Sequence, residues 1–308
     1  MRRNIGLTLI AVTMIASINF TSIAATNTQR KIAFVSKRDG HAQIYLMNED
    51  GSEQVNISNN DRQEFGPSWS PDGEYLAFAS SNDEVTDIYT MRADGSDRRR
   101  WTDDYRHTHD SPSWSPDGKY IAFLSGGAVS IIDIKKNIIN RLTIDSPARN
   151  IGLSWSPDGQ WIAFTSDEKI ILVDCQRHRM EIGADIDGLK YQPTWVAPSL
   201  LAFTSTNKNQ DKTFVVDIEN HQRVSRILDK IAFANWTSDG QKIVFVGGDL
   251  TNDDETEIFT INADETNKRQ LTHNQFADFG PAWQPQSAPD IEPTMNCENL
   301  ENTQTNSP

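Results

Sequence analysis

Residues 69–73 read Trp69-Ser70-Pro71-Asp72-Gly73, and the same five residues return as Trp114-Ser115-Pro116-Asp117-Gly118 and Trp155-Ser156-Pro157-Asp158-Gly159. Three more tryptophans, Trp195, Trp236 and Trp283, extend the series at spacings of 45, 41, 40, 41 and 47 residues. A period in the forties is that of propeller blades. The motif itself needs no catalytic explanation. Serine suits the first position of a type I turn, proline pre-sets φ at the second, aspartate suits the third, and glycine supplies a left-handed residue. Equivalent copies spread around a ring cannot share one active site, so these serines and aspartates are read as structural.

Each turn leads into an apolar run: Leu76-Ala77-Phe78, Ile121-Ala122-Phe123, Ile162-Ala163-Phe164, and further on Leu201-Ala202-Phe203 and Ile243-Val244-Phe245. Apolar side chains at consecutive positions, rather than alternate ones, predict strands covered on both faces. A third strand follows, such as Asp87-Ile88-Tyr89-Thr90-Met91. Turns such as Asp50-Gly51 and Asp94-Gly95 then lead to a fourth strand that ends near Leu-Thr. The unit is a four-stranded antiparallel meander.

Counting units predicts how the ring closes. Residues 31–58 hold second, third and fourth strands without a tryptophan strand before them, whereas the last repeat supplies only a tryptophan strand, at Pro281-Ala282-Trp283. The two fragments make one blade. The predicted fold is all-β, a six-bladed propeller over 31–286 whose N-terminal strands pair with the Trp283 strand, which leaves no open seam.

Outside the repeat, Arg2 and Arg3 precede an apolar run from Ile5 to Ile18 and the small-residue stretch Ser22-Ile23-Ala24-Ala25. That layout predicts a signal peptide over 1–24, a short linker over 25–30, and a periplasmic or secreted protein. A run this short falls below the roughly 20 residues of a membrane-spanning helix. Residues 287–308 form a polar tail whose composition predicts disorder. Cys175 and Cys297 are the two cysteines, and the sequence leaves open whether they pair. The formal net charge is −14. It argues against nucleic acid, whose binding needs neutralised phosphates, and favours a cationic partner or a divalent cation such as Ca2+. The sequons Asn56-Ile57-Ser58 and Asn235-Trp236-Thr237 fall inside predicted strands and are read as chance matches.

The Trp-Ser-Pro-Asp-Gly turn, the Ile-Ala-Phe that follows and the Ile-Tyr-x-Met-x-x-Asp-Gly segment resemble the blades of the TolB-like, WD-repeat-like propellers over about residues 30–286. The resemblance implies the fold strongly and the role by analogy: TolB is periplasmic, and its propeller binds the peptidoglycan-associated lipoprotein at one mouth of the ring. TolB itself carries an α/β domain ahead of its propeller. Here the first blade strand follows the expected signal peptide within about six residues, so a protein other than TolB is expected. The motif also decays, to Trp195-Val196-Ala197-Pro198-Ser199 in the fifth turn and Trp236-Thr237-Ser238-Asp239-Gly240 in the sixth.

In an up-and-down blade the Pro-Asp-Gly turns share one face of the ring, and the loops after strands two and four share the other. Variable loops on a rigid scaffold are where binding resides. The loops after strand two are expected to be long and acidic at Asp83-Glu84 and Asp249 to Glu257, long and basic or polar at Lys208 to Lys212, and nearly absent at Gly126-Gly127 and Asp167-Glu168. Five residues before each tryptophan stand Glu64, His109, Asn150, Lys190, Ile231 and Asp278, which equivalence of blades places around the channel mouth, with His107 and Asp110 nearby. The expected ligand-binding set is Glu64, His107, His109, Asp110, Asn150, Lys190 and Asp278. Within it, Glu64, His109 and Asp278 carry oxygen and imidazole groups suited to a cation. His41, His178, His221 and His273 are scattered and are read as surface residues. The expected function is a monomeric module that binds a protein or envelope ligand and requires no cofactor. The alternative is a metal-dependent lyase or hydrolase with its site at the mouth, which would need that His and carboxylate set to converge.

Overall fold

The computed structural model describes residues 29–82, 84–105, 107–143, 151–207, 210–219, 223–229, 231–248, 255–286 and Cys297. The expected signal peptide, most of the linker, Asn150, His221 and all of the tail except Cys297 lie outside the described residues. Six sheets of four antiparallel strands make up the fold, and the described residues include no helix.

Blade 1 is built from both ends of the chain. Its first strand, Asp278–Trp283, pairs with Lys31–Ser36, which continues through Gln43–Asn48 to Val55–Asn56, and the register places Ile32 opposite Trp283. The first strands of blades 2 to 6 are Gln63–Trp69, His109–Trp114, Ile151–Trp155, Leu189–Ala197 and Ala232–Trp236.

The turn motif works through its side chains. Ser70 is buried, and its hydroxyl reaches Asp72 Oδ1 at 2.5 Å while accepting from Tyr75 N at 2.9 Å; Glu74 N donates to Asp72 at 3.0 Å. Ser115 with Asp117, Ser156 with Asp158, and Thr237 with Asp239 repeat the arrangement. Each pair satisfies backbone donors that would otherwise be lost at a tight turn.

The Ile-Ala-Phe triplet builds the interfaces between blades. Phe34, Phe78, Phe123, Phe164, Phe203 and Phe245 are all fully buried. Each sits in one of six core clusters, and each cluster joins two neighbouring blades: Phe78 packs with Ala33, Phe123 with Ala77, Phe164 with Ala122, Phe203 with Ala163 and Phe245 with Ala202. Phe34 closes the ring against Val244 of blade 6. The alternation inside a strand therefore sends Ile and Phe to one neighbour and the small residue to the other, where it leaves room for that neighbour's ring. Cross-blade hydrogen bonds near the axis add to this: Trp114 N and Trp155 N donate to Ser68 and Ser113 Oγ at 3.2 and 3.3 Å, and Trp283 N donates to Asn235 Oδ1 at 3.0 Å.

Cys175 and Cys297 form a disulfide, with Cα atoms 5.3 Å apart. Both are buried in the cluster between blades 3 and 4, which answers the question the sequence left open and fixes one point of the C-terminal segment to the body.

Two loop expectations are corrected. The strands of blade 5 run on to Asn207 and Gln210, which pair, so Lys212 belongs to a strand opposite Ser205 and no long basic loop spans Lys208 to Lys212. Glu257 likewise belongs to the strand Thr256–Asn262 and accepts from Thr272 Oγ1 and, at 2.8 Å, from Asn274 N.

Candidate functional site: the channel and its mouth

The first strands line a central channel of about 940 Å³, open to solvent. Every one of them breaks register three residues before its tryptophan or close to it. At that bulge all six blades place a left-handed residue: Gly280, Gly66 and Gly152 in blades 1, 2 and 4, and Ser111 (φ 50°), Gln192 (φ 53°) and Phe233 (φ 52°) in blades 3, 5 and 6. Glycine adopts this conformation without cost, whereas a residue with a Cβ is strained there. All six residues line the channel.

The bulge decides which side chains reach the lumen, because an inserted residue changes the face to which its neighbours point. Glu64 and Asp278 face away from it. Glu64 is fully buried and accepts from Asn60 Nδ2 at 2.9 Å, Ser80 Oγ at 3.3 Å and Arg98 Nη2 at 2.8 Å. Burial pushes its pKa up, and the Arg98 charge with these hydrogen bonds pulls it part of the way back. Arg98 is stacked over Phe78 and Tyr89, at 4.9 and 4.7 Å from the ring centroids. Asp278 repeats the design with Arg38, at 2.9 Å, and Arg38 in turn stacks on Tyr45 at 4.7 Å. In both blades a cation laid over two aromatic rings neutralises a buried acid.

His109 is also buried, edge-on to Phe123 at 5.5 Å, and neither ring nitrogen has a hydrogen-bond partner. Burial lowers its pKa. Lys190 is buried, with Nζ 3.4 Å from the Gly188 carbonyl, and Ile231 is buried at the matching position of blade 6. His107 is exposed on the loop-rich face and pairs with Asp104 at 2.8 Å. The structure therefore does not bring Glu64, His109 and Asp278 together, and among the described residues no three His, Cys, Asp or Glu side chains form a metal-binding group.

Asp110 differs from the rest of the predicted set. It is exposed to the channel and lines it, and enclosure by protein raises its pKa above the ordinary value against the pull of the Ser111 hydroxyl. Sequence reasoning missed Ser111, Gln192 and Phe233 beside it. The signal that marks their position is the glycine three residues before Trp69, Trp155 and Trp283.

The mouth on the loop-rich face carries exposed apolar groups. Tyr105, Leu189 and Phe276 are 80%, 48% and 47% exposed, and they stand at the entries to the first strands of blades 3, 5 and 1. Asp61, Asp103, Asp185 and Asp187, also exposed, lie on the same kind of connection.

This geometry defines a six-bladed propeller with an axial channel whose wall differs from blade to blade. Comparison with known proteins makes the class more specific: residues 22–129 match the model of the TolB beta propeller domain, and the fold is that of a TolB-like propeller. TolB from Acinetobacter baumannii superposes with a TM-score of 0.72 at 20% identity, over 83% of this chain and 67% of that one. Hydrazine synthase from Kuenenia stuttgartiensis gives 0.64 at 14% identity, over 83% of this chain and 46% of that one. A chain of the nidogen/laminin complex gives 0.64 at 11% identity, over 84% and 99%. At such identities the likeness is one of fold. No curated protein matches the sequence.

Proposed function

We propose that this protein is an exported binding module that receives a basic protein or envelope ligand at its loop-rich mouth. The observation that carries this reading is the placement of Tyr105, Leu189 and Phe276. Among the described residues five large hydrophobic side chains are exposed, and these three stand at matching entries in alternate blades while a fourth, Phe233, lies in the channel below. Exposed apolar anchors set around one face mark an interaction surface, and aromatic ones supply most of its energy. The acids beside them and the net charge of −14 select a cationic partner and speed its approach. The N-terminal pattern of residues 1–24 supports export, and the TolB-like fold supports a role in the envelope.

The test is a pull-down from envelope extract with the full chain as bait, beside the variant Tyr105→Ser, Leu189→Ser, Phe276→Ser. All three side chains are exposed, so the variant keeps the native melting temperature. Capture by the native protein, lost from the variant and weakened by added salt, supports the reading. A partner held equally by both baits refutes it.

A further inference from the structure

We propose that the channel is a second site, distinct from the mouth, that takes one organic cation: a primary ammonium or guanidinium group on an apolar stem. The argument starts from the bulge. Six blades place a left-handed residue at the same point of the channel wall, and three of them use glycine, the residue that costs nothing there. Ser111, Gln192 and Phe233 keep strained conformations at equivalent positions. At two of the glycine positions the space would admit a side chain, since a Cβ built on Gly66 or Gly280 meets only one atom within 4 Å, at 3.9 and 3.8 Å, whereas at Gly152 it meets Gln192 Cα at 3.1 Å. Strain held where a glycine would fit is a mark of function.

What those side chains provide is directional. Asp110 and Ser111 put a carboxylate and a hydroxyl on the wall of blade 3, and Phe233 puts a ring, 38% exposed, on the wall of blade 6, directly across a six-membered ring. Phe65 and Phe279 line the arc between them through blades 2 and 1. On the remaining side Gln192 lies against Gly152 of blade 4, and its Oε1 is buried with no hydrogen-bond partner. A cation held by Asp110 would thus find the Ser111 hydroxyl beside it and aromatic faces along the wall for its charge and stem.

The set does not suit a hard metal ion. Calcium takes six to eight oxygen ligands, and this stretch of wall offers one carboxylate. A lone acid among phenyl rings fits a singly charged organic group. Asp110 is costly to ionise inside the channel, and a bound ammonium would offset that cost, so binding should weaken as the solution is acidified through the carboxyl pKa.

The probe is n-butylammonium, titrated into the full-length protein and followed by NMR shift or calorimetry, with 1-butanol as the uncharged control and an acetyl-Gly-Lys-Gly-amide peptide as a second arm. The expected result is saturable butylammonium binding that 1-butanol does not reproduce, and that falls at least about tenfold in Asp110→Asn. Phe233→Gly, which installs the residue found in blades 1, 2 and 4, should keep the fold and weaken binding. A peptide that binds more tightly than butylammonium identifies the natural cation as a partner's lysine side chain, and equal affinities identify a small amine. Absence of saturable binding in both arms overturns the proposal, as does equal affinity in Asp110→Asn. The mouth variant Tyr105→Ser, Leu189→Ser, Phe276→Ser should bind butylammonium normally, so failure of the channel site and failure of the mouth reading are told apart.

Discussion

Replacing Glu64 with alanine tests whether this residue holds the blade together or holds a ligand. The side chain is fully buried and Arg98 is only 27% exposed, so removing the acid strands a guanidinium between Phe78 and Tyr89 with its principal partner gone. Breaking a buried ion pair by deleting one member costs about 3–5 kcal/mol. Because Arg98 keeps some contact with water, the lower end applies, about 3 kcal/mol. In a domain of this size 1 kcal/mol corresponds to about 2–4 °C, so the melting temperature should fall by roughly 6–12 °C. The double variant Glu64→Leu, Arg98→Met removes both charges and fills similar volume, and should recover most of the loss. Differential scanning calorimetry of the native protein, both single variants and the double gives the coupling energy directly. Adding calcium or EDTA should shift none of the four, since the carboxylate is already neutralised by arginine. A Glu64→Ala protein that melts within about 2 °C of the native one, or effects of the two single changes that simply add, would falsify the structural role.

Three other perturbations read the same forces elsewhere. Ser111→Gly and Gln192→Gly relieve left-handed strain, and each should gain up to about 1 kcal/mol in urea unfolding; a loss of stability would show that their side chains hold the channel wall. His109 is buried neutral with its pKa lowered from 6.5, so its contribution is complete above that pH and is lost as pH falls from 6.5 toward the folded-state value. The melting temperature should therefore fall as the pH drops below 6.5, a dependence that His109→Leu abolishes; an identical slope in that variant would refute the assignment. Reducing the Cys175–Cys297 bridge, which spans a sequence separation of 122, removes a cross-link worth at most about 5 kcal/mol by loop entropy. The melting temperature should fall in dithiothreitol and in Cys175→Ser alike, and no change in either would mean that the bridge leaves the propeller's stability untouched.

The scaffold was legible because its residues are set by local chemistry that repeats. A Ser-Pro-Asp-Gly turn needs a hydroxyl and a carboxylate at fixed offsets, and Ser70 with Asp72 shows why. The apolar triplets announced strands covered on both faces, although the reason for the alanine, room for Phe78 over Ala33 and its equivalents, appears only when blades are stacked. The site was less legible. Counting five residues back from each tryptophan does select equivalent positions, but it assumes an even strand between them. The bulge at Gly66, Ser111, Gly152, Gln192, Phe233 and Gly280 breaks that assumption. Glu64 and Asp278 are consequently turned into the blades, and Asp110 with the bulge residues is turned to the lumen. Pairing of distant residues also lay beyond the sequence, as in the Cys175–Cys297 bridge and in Arg98, whose neighbours Glu64, Phe78 and Tyr89 come from three strands.

A ring of like blades poses a physical problem for recognition that this protein answers by departing from its own repeat. Six equal walls present the same group six times, so a ligand on the axis would gain nothing from one orientation over another. Directionality requires unlike blades. The departures are costly where they fall in the frame, because the frame is close-packed and each triplet must match its neighbour. Along the axis they border the open channel, and their main cost is local strain of about 1–3 kcal/mol at most per residue. That is why Phe34 and its five equivalents are uniform while Ser111, Gln192 and Phe233 are not. It also explains why, among the described residues, exposed large apolar groups stand at the mouth in the connections to blades 1, 3 and 5. Positions that repeat identify what holds the propeller closed, and positions that break the repeat on the axis identify what it can grip.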